Sequence, residues 1–313
     1  MWYVVITLVI FLLSLKAYDF LEGRNLLKDL WAEYRLSRLT LRQCDEFCNR
    51  NQSESDIILC LTTIPSRLPF IEMTLKSLLM QSRSPKLIRL HLPNYSVREK
   101  CAYELPEIFH SLHSLEIVRC EDYGPATKLL PALVDCDKYQ KLLIVDDDML
   151  YPKGMVNHFH HVSKNHEDIA IGNSGWIVPD DLICHFVTLR KNIKQLPPMP
   201  YKTTRIKKRV AIDILQGYSG YLVQPRFFDG TKIKQYDQAP EAAYYVDDVW
   251  ISAHCQVPKY VYPFERFCFH PKLLKKYFVR SSLAKFNRGE DPEERNNTYM
   301  IRYFKDRWLS DFI

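Results

Sequence analysis

The 313-residue sequence contains little glycine: nine residues in all, and none of them forms a GxGxxG or GxxxxGK pattern. The glycine-rich loops that cradle phosphate groups in dinucleotide-binding and P-loop proteins are therefore excluded. The nine cysteines include no CxxC pair and are odd in number, which argues against a zinc site of that spacing and favours a reducing compartment over a disulfide framework. Internal repeats and low-complexity tracts are also absent from the sequence.

Charge and composition are those of an ordinary globular protein. The formal net charge is +6, with 47% hydrophobic and 26% charged residues, and the length allows one large or two small domains. Part of the positive charge is local, in Arg205 and residues 207–209. Such a cluster is usually a solvated loop, although an anionic substrate or a membrane could contact it. No nucleic-acid-binding motif accompanies it, so nucleic acid is not an expected partner.

The N-terminal segment is apolar. Residues 1–15 carry no charge, Lys16 ends the run, and apolar residues continue to position 21. Fifteen helical residues span about 22 Å, short of the roughly 30 Å hydrocarbon core, and the added residues lengthen the span. We expect residues 1–21 to form an uncleaved membrane anchor, with a cleaved signal peptide or a buried helix as alternatives. Residues 22–55 then form a charged, partly helical stem, and residues 56–313 the main domain.

Charges around the apolar run bear on its orientation. No Lys or Arg precedes the run, whereas six follow it between Lys16 and Arg42. Because positive residues near a span tend to stay cytoplasmic, the pattern favours a cytoplasmic domain over a lumenal one, in agreement with the cysteine count. Three N-x-S/T sequons argue for the lumen, at Asn51, Asn94 and Asn296.

Strand and helix patterns alternate after the stem. Strand patterns cover residues 56–62, 87–92, 115–119, 141–145 and 169–171, and helix patterns cover 68–81, 98–112, 125–134 and 152–164. Repeated β-α units predict an α/β fold in which a doubly wound, mostly parallel sheet has helices on both faces. The proline-containing stretch 176–210 predicts a long surface loop.

The most informative segment is Leu142–Tyr151, in which an apolar run of strand length ends in three adjacent aspartates. In an open α/β sheet the carboxyl end of a buried strand lies at the crevice where ligands bind. Adjacent negative charges repel one another, so a positive group is expected nearby, and hard oxygen donors suit Mg²⁺ or Mn²⁺. On an extended backbone Asp146 and Asp148 would share one side and Asp147 the other. The simpler interpretation is a solvated acidic turn.

Two clusters in the second half add candidate residues. Leu215–Tyr221 places two glycines among tyrosines, which would let a ligand approach the backbone, although a core strand containing glycine has the same pattern. Tyr245–Ile251 includes Asp247 and Asp248 before apolar residues at helical spacing. Acids at a helix start commonly complement the helix dipole, whereas a carboxylate that faces a cleft can act as a general base.

Five segments together resemble a GT-A-type glycosyltransferase of the small, DxD-containing, family-2-like kind found in bacteria and large DNA viruses. They are Leu61–Arg67, Asp122–Lys128, Asp146–Asp148, Gly217–Gly220 and Val246–Trp250. The resemblance covers about residues 56–265 and depends on the order and spacing of the segments. It implies a GT-A-like fold and glycan biosynthesis: a hexosyl- or pentosyltransferase that moves a sugar from a nucleotide-sugar to a carbohydrate or glycoconjugate acceptor, with inversion favoured.

The resemblance also implies roles for individual residues. The nucleotide-sugar would contact Thr62, Thr63, Arg67, Lys128, Asp146 and Asp147. Asp146 and Asp148 would hold Mn²⁺ or Mg²⁺ against the diphosphate, whose growing charge a metal stabilises, and some members place a further ligand at the position of His270. Asp248 would be the general base. Asp247 stands where the family often has glutamate, which leaves it as the alternative base.

Two other classes fit parts of the sequence. A haloacid-dehalogenase-like phosphotransferase also has a strand that ends in DxD and a later acidic pair. Its nucleophilic aspartate normally ends the first strand, whereas here three β-α units precede Asp146. The second alternative is a non-catalytic, membrane-tethered carbohydrate-binding protein on a degenerate transferase fold, since a fold alone does not establish chemistry. The retained acidic motifs argue against it.

Overall fold

The computed structural model describes residues 2–280, 282–283, 287 and 289–308. Its α-helices are α1 (Trp2–Glu22), α2 (Leu26–Ser37), α3 (Leu41–Arg50), α4 (Glu72–Leu79), α5 (Ala132–Asp135), α6 (Met155–Asn165), α7 (Leu189–Lys194), α8 (Asp247–His254), α9 (Lys275–Arg280) and α10 (Asn296–Tyr303). Its strands are β1 (Ile57–Thr62), β2 (Leu87–Pro93), β3 (Tyr95–Ser96), β4 (Cys101–Ala102), β5 (Leu115–Cys120), β6 (Lys141–Ile144), β7 (Ala170–Gly172), β8 (Ser174–Trp176), β9 (Tyr201–Lys202), β10 (Val210–Ala211), β11 (Ile214–Leu215), β12 (Tyr221–Val223) and β13 (Lys259–Val261).

A mostly parallel sheet organises the domain. Across the described residues, eight strands form it in the order β10-β13-β7-β12-β6-β1-β2-β5. Strand β1 pairs in parallel with β2 on one side and β6 on the other, whereas β12 runs antiparallel to both β6 and β7. The direction of strand order therefore reverses between β1 and β6, and the ligand crevice of such a sheet lies at the carboxyl ends of these two strands.

Both faces of the sheet are covered because its central strands are apolar throughout. In β1, Ile58 and Cys60 enter the core that contains α5, α8 and α10, and Ile57, Leu59 and Leu61 enter the core that contains α3, α4 and α6. Continuous apolar strands of this kind are typical of sheets that are buried on both faces. The predicted fold class, a doubly wound and mostly parallel α/β sheet of the GT-A-like kind, is confirmed.

Three predicted elements differ from the structure, and prolines explain two of them. The predicted helix 98–112 is wrong: this stretch contains β4 and the 3₁₀ helix Glu107–Ser111, because Pro106 disfavours helical backbone at the residue before it. The predicted helix 125–134 is divided at Pro131 into the 3₁₀ helix Gly124–Lys128 and α5. The predicted loop 176–210 contains α7 and β9.

Much of the segment 22–55, interpreted above as a stem, packs onto the domain. Leu41 and Cys44 of α3 are buried in the same core as α4. The carboxylate of Asp45 accepts hydrogen bonds from the backbone N–H groups of His113 and Ser114, at 3.0 and 2.9 Å. Helix α3 thus packs against the domain, and the division into stem and domain remains a prediction.

Helix α1 extends away from these contacts, with none of its residues buried. Within the described part of the chain it is the one helix long and apolar enough to cross a membrane. An N-terminal signal sequence can be equally long and apolar, so the membrane anchor remains a prediction.

Candidate functional site

A cavity of about 1020 Å³ lies at the carboxyl ends of β1 and β6. Nine of the ten residues predicted as site residues line it, namely Thr62, Thr63, Arg67, Lys128, Asp146, Asp147, Asp247, Asp248 and His270. The tenth, Asp148, is not a lining residue, and its carboxylate lies 3.6 Å from the guanidinium of Arg67. The fold therefore brings the two acidic motifs, 100 residues apart in sequence, to one cavity.

The acidic turn after β6 is held by hydrogen bonds from three directions. The backbone N–H of Val145 continues the β1 ladder by donating to Cys60, at 3.0 Å. The hydroxyl of Tyr151 accepts from the backbone N–H of Asp146 at 2.9 Å, and Thr74 Oγ1 of α4 donates to the carbonyl oxygen of Asp147 at 2.8 Å. The turn is thus a fixed support for its carboxylates rather than a solvated loop. Nothing in the sequence pattern pointed to Thr74 or Tyr151.

Asp147 ties the ends of β1 and β6 together. Its carboxylate accepts from Thr63 Oγ1 at 2.5 Å and from Arg67 Nη1 at 2.9 Å, and its side chain is 6% exposed. The expectation that Asp146 and Asp148 share one side assumed extended backbone. The chain instead turns at residues 147–148, so Asp148 neighbours Arg67 as Asp147 does.

Lys128 connects the two acidic motifs. Its ammonium lies 2.8 Å from Asp146 Oδ1, 3.0 Å from Asp247 Oδ2 and 3.8 Å from Asp248 Oδ1, although the contact with Asp247 lacks hydrogen-bond geometry. Burial alone would lower the pKa of Lys128, but the surrounding carboxylates raise it well above its ordinary value. The lysine therefore stays protonated and compensates part of the charge of both motifs.

Gly217 makes this ion-pair cluster possible. Its backbone N–H donates to Asp248 Oδ1 at 3.0 Å. A Cβ at this position would overlap the ammonium of Lys128 and lie 3.0 Å from Asp146 Oδ1. The sequence pattern predicted that a ligand could approach the backbone at these glycines. In the structure, the side chain of Lys128 lies against Gly217.

Carboxyl groups outnumber the cations they are paired with in the cluster. The five carboxylates of the two motifs lie against the cations Lys128 and Arg67. Burial, reinforced by the neighbouring carboxylates, raises the pKa of Asp248 to about 8 and that of Asp148 to about 7. The cluster would therefore gain stability from a further positive group.

The donor atoms suit a divalent cation only if a ligand completes the coordination. Among the described residues, no group of three or more His, Cys, Asp or Glu side chains is arranged to hold a metal by protein donors alone. Mg²⁺ and Mn²⁺ prefer carboxylate oxygens, and Mg²⁺ commonly takes one or two of them together with phosphate oxygens of a substrate. Asp146, whose side chain is 31% exposed, lines the cavity and fits that requirement, whereas Asp148 lies behind the wall beside Arg67.

His270 reaches the acidic turn through backbone pairing. Leu150 and Phe269 form an antiparallel bridge, which places His270 Nδ1 3.0 Å from the carbonyl oxygen of Asp148. Because Nδ1 faces an acceptor, it carries the proton in the neutral ring, and the lone pair of Nε2 is left able to bind a metal.

The remaining cavity wall was only partly predicted from the sequence. It includes Arg98, Tyr103 and Asp122 beyond the end of β1, and Trp176, residues 184–187 and Tyr244 elsewhere around the cavity. Asp122 and Tyr244 lie in or near motifs that were recognised, but residues 184–187 belong to the stretch interpreted as a surface loop. Proline and polar spacing mark a loop without indicating which surface it covers.

Comparison with known proteins identifies no family. No protein-family model matches the sequence, and no curated protein matches it. Among solved structures, S. aureus TarS 1–349 in complex with UDP aligns with 14% sequence identity and a TM-score of 0.40, over 81% of this chain and 72% of that chain. TarS 1–349 alone aligns with the same identity and coverage and a TM-score of 0.39. Similarity at this level gives no information about activity.

Proposed function

We propose that the protein is a metal-dependent glycosyltransferase that moves a hexose or pentose from a nucleotide-sugar to an acceptor hydroxyl. The observation that carries the proposal is the Lys128 cluster, in which carboxylates of both acidic motifs meet at the switch point of the sheet. The cavity beside it, about 1020 Å³, is at the upper end of the size range of small-molecule sites and large enough for a nucleotide-sugar.

The end of β1 supports binding of the nucleotide diphosphate. Thr62, Thr63 and Arg67 line the cavity on this side, and Lys128 lines it beside β6. Arg67 and Lys128 attract the diphosphate. The carboxylates of the acidic turn repel it, so binding requires further positive charge beside the turn.

Asp146 and Asp148 would hold a divalent cation, with His270 Nε2 as a further candidate donor. When bound, Mn²⁺ or Mg²⁺ stabilises the negative charge that grows on the leaving nucleoside diphosphate. Asp147 supports the turn, because its carboxylate is committed to Thr63 and Arg67.

Asp248 is the proposed general base. It removes the proton of the acceptor hydroxyl while that oxygen attacks the anomeric carbon, and the nucleoside diphosphate leaves with the electron pair of the broken C–O bond. Attack opposite the leaving group inverts the anomeric configuration. Asp248 is preferred over Asp247 because its side chain is 29% exposed to the cavity, against 10% for Asp247.

The proposed location is a membrane, with α1 as a single anchor and the domain in the cytoplasm. Helix α1 is unburied, and all nine cysteines are free thiols in the structure. Free thiols are typical of reducing compartments, which supports the cytoplasmic side.

A thermal-shift screen of nucleotide-sugars, with and without Mn²⁺, tests the proposal. A donor should raise the melting temperature only when the metal is present, since a ligand that binds the native state stabilises it. The stabilising donor is then incubated with acceptor sugars, and a transferred sugar is the expected product.

Two outcomes would favour the other classes of protein. Hydrolysis of a phosphomonoester without sugar transfer would indicate the haloacid-dehalogenase-like phosphotransferase. A nucleotide-sugar that binds but is never turned over with any acceptor would indicate the carbohydrate-binding protein. Either result would reject the proposed transfer.

A further inference from the structure

In helix α2 the acidic residues are buried and the apolar residues are exposed, which is the reverse of an ordinary surface helix. Its acidic residues Asp29 and Glu33 are buried against the domain, at 0% and 4% exposure. The apolar residues at spacing i, i+3, i+4 and i+7 are instead 44–61% exposed, and they are Leu27, Leu30, Trp31 and Tyr34. Such a stripe normally faces a core, so its exposure requires an explanation.

Specific bonds fix α2 in this orientation. Asp29 accepts from Arg266 Nη2 at 3.0 Å. The carboxylate of Glu33 accepts from the backbone N–H groups of Lys272 and Leu273, at 3.0 and 3.1 Å. Rotating the helix to bury its apolar stripe would leave the carboxylates of Asp29 and Glu33 without their partners. These bonds therefore hold the stripe on the outer side of the helix.

A second apolar surface flanks the same end of α1. In residues 186–196 the exposed apolar side chains, 43–63% exposed, are Phe186, Val187, Leu189, Ile193 and Leu196. This segment is joined to α1 through Arg205, which donates to Asn192 Oδ1 at 2.5 Å and lies over the ring of Phe20 at 4.7 Å. Helix α2 begins four residues after α1 ends, so both surfaces border the point where α1 leaves the domain.

Basic side chains accompany both surfaces. The exposed ones are Lys28, Arg35, Arg38, Arg190 and Lys194. Apolar and aromatic residues with Lys and Arg beside them are the composition of helices that lie in the interface of a membrane with anionic lipids. A second copy of this chain would bring the same basic groups together, which the charges oppose.

We propose that the exposed residues of α2 and of segment 186–196, the docking face, lie in the headgroup region of an anionic membrane. The chain would then contact the bilayer through this face as well as through α1, and the domain would rest on the lipid surface. Residues 184–187 also line the cavity, so this contact places one cavity wall beside the membrane. This proposal depends on α1 being a membrane anchor and does not depend on the proposed glycosyl transfer.

Quenching of Trp31 fluorescence by brominated lipids tests this contact. The full chain is reconstituted in phosphatidylcholine vesicles with and without phosphatidylglycerol, and the signal of Trp31 is the difference between the wild type and Trp31→Phe. We expect strong quenching by lipids brominated near the carbonyl, loss of quenching by aqueous iodide, and a larger effect in the anionic vesicles. The corresponding difference for Trp2→Phe reports insertion of α1 separately.

Two sets of variants provide controls. Tyr139→Trp in the Trp31→Phe background places an exposed tryptophan near the amino ends of β1 and β6, where iodide and not lipid should quench it. Lys28→Glu with Arg35→Glu should weaken the preference for anionic vesicles, whereas Lys86→Glu, at another exposed lysine, should leave it unchanged.

Two results would overturn the proposal. Trp31 could remain open to iodide in both vesicle types while Trp2 is quenched by lipid, which would show an inserted anchor without docking. Trp31 could instead be shielded in detergent alone, together with a doubled particle mass, which would assign the docking face to a second copy of the chain.

Discussion

The ammonium of Lys128 lies 2.8 Å from the carboxylate of Asp146. Three adjacent aspartates require a positive group nearby. Lys128 supplies part of it, from the end of the 3₁₀ helix Gly124–Lys128, 18 residues before Asp146. Because the same lysine also contacts Asp247, it determines how far apart the two acidic motifs stand. A bound cation would complete the charge compensation that Lys128 begins.

Lys128→Met should therefore destabilise the fold as well as stop transfer. Removing one partner of a buried ion pair leaves the other charges uncompensated, and we expect the free energy of unfolding to fall by about 3–5 kcal/mol. Urea denaturation of the full chain in detergent measures the change. Lys86→Met, at an exposed lysine bonded to Gln140, is the control and should change stability by less than about 0.5 kcal/mol. Equal stability of the two variants would contradict the role of Lys128.

Asp148→Asn should abolish metal-dependent donor binding while the fold persists. The substitution keeps the shape of the side chain and removes a negative charge, so a divalent cation loses affinity. We expect the stabilisation by donor plus Mn²⁺ in the thermal-shift assay to disappear, and transfer to fall by orders of magnitude. Asp168→Asn, at an exposed carboxylate paired with Arg226, should behave as wild type. Normal transfer by Asp148→Asn after chelation of metal would refute the assignment.

Asp248→Asn should retain donor binding and lose turnover. Loss of a general base removes stabilisation of the transition state rather than of the donor complex, and costs roughly 10²–10⁴-fold in rate. Thermal shift and initial rates measured on the same preparation separate the two effects. If Asp247→Asn were the inactive variant and Asp248→Asn the active one, the two roles would be exchanged. A product with retained anomeric configuration would remove the argument for a base altogether.

The main sheet and the acidic motifs were predictable because they follow local rules. The β1 and β6 patterns are short apolar runs, and the carboxyl ends of parallel strands meet at one edge whatever the intervening sequence. The pairing of Lys128 with Asp247 was not predictable, because it depends on the antiparallel insertion of β12 between β6 and β7 and on the approach of Gly217.

The contacts of segment 22–55 are an example of what composition does not predict. Charge in residues 22–55 predicted a stem but not the burial of Asp29 and Asp45, whose carboxylates bind arginine and backbone N–H groups distant in sequence. Composition reports the average environment of a residue type, and tertiary contacts of this kind override it.

Asp29 should make stability depend on pH. Burial raises its pKa from 3.8 to about 6, in spite of the nearby Arg266 and Arg24. The folded state then holds a proton more tightly than the unfolded state, so this contribution is fully present below about pH 4 and is lost as pH rises through about 6. It amounts to at most about 3 kcal/mol. Denaturation from pH 4 to 7.5 should show the decline in wild type and a flatter profile in Asp29→Asn, and identical profiles would contradict the expectation.

The sequons offer a test of membrane orientation. The side-chain amide of Asn51 donates to the carbonyl oxygen of Ser82 at 3.2 Å, and that of Asn296 donates to Asn287 at 3.0 Å, whereas Asn94 is exposed. A lumenal domain would therefore carry its glycan first at Asn94.

We expect the cytoplasmic orientation, because the basic residues that follow α1 favour that side. Protease added to intact microsomes should digest the domain, and the chain should migrate identically before and after treatment with a glycosidase. Asn94→Gln should then have no effect on migration. A protected domain whose glycan disappears in Asn94→Gln would reverse the orientation, and with it the argument from free thiols. A chain recovered entirely in the soluble fraction would remove the anchor.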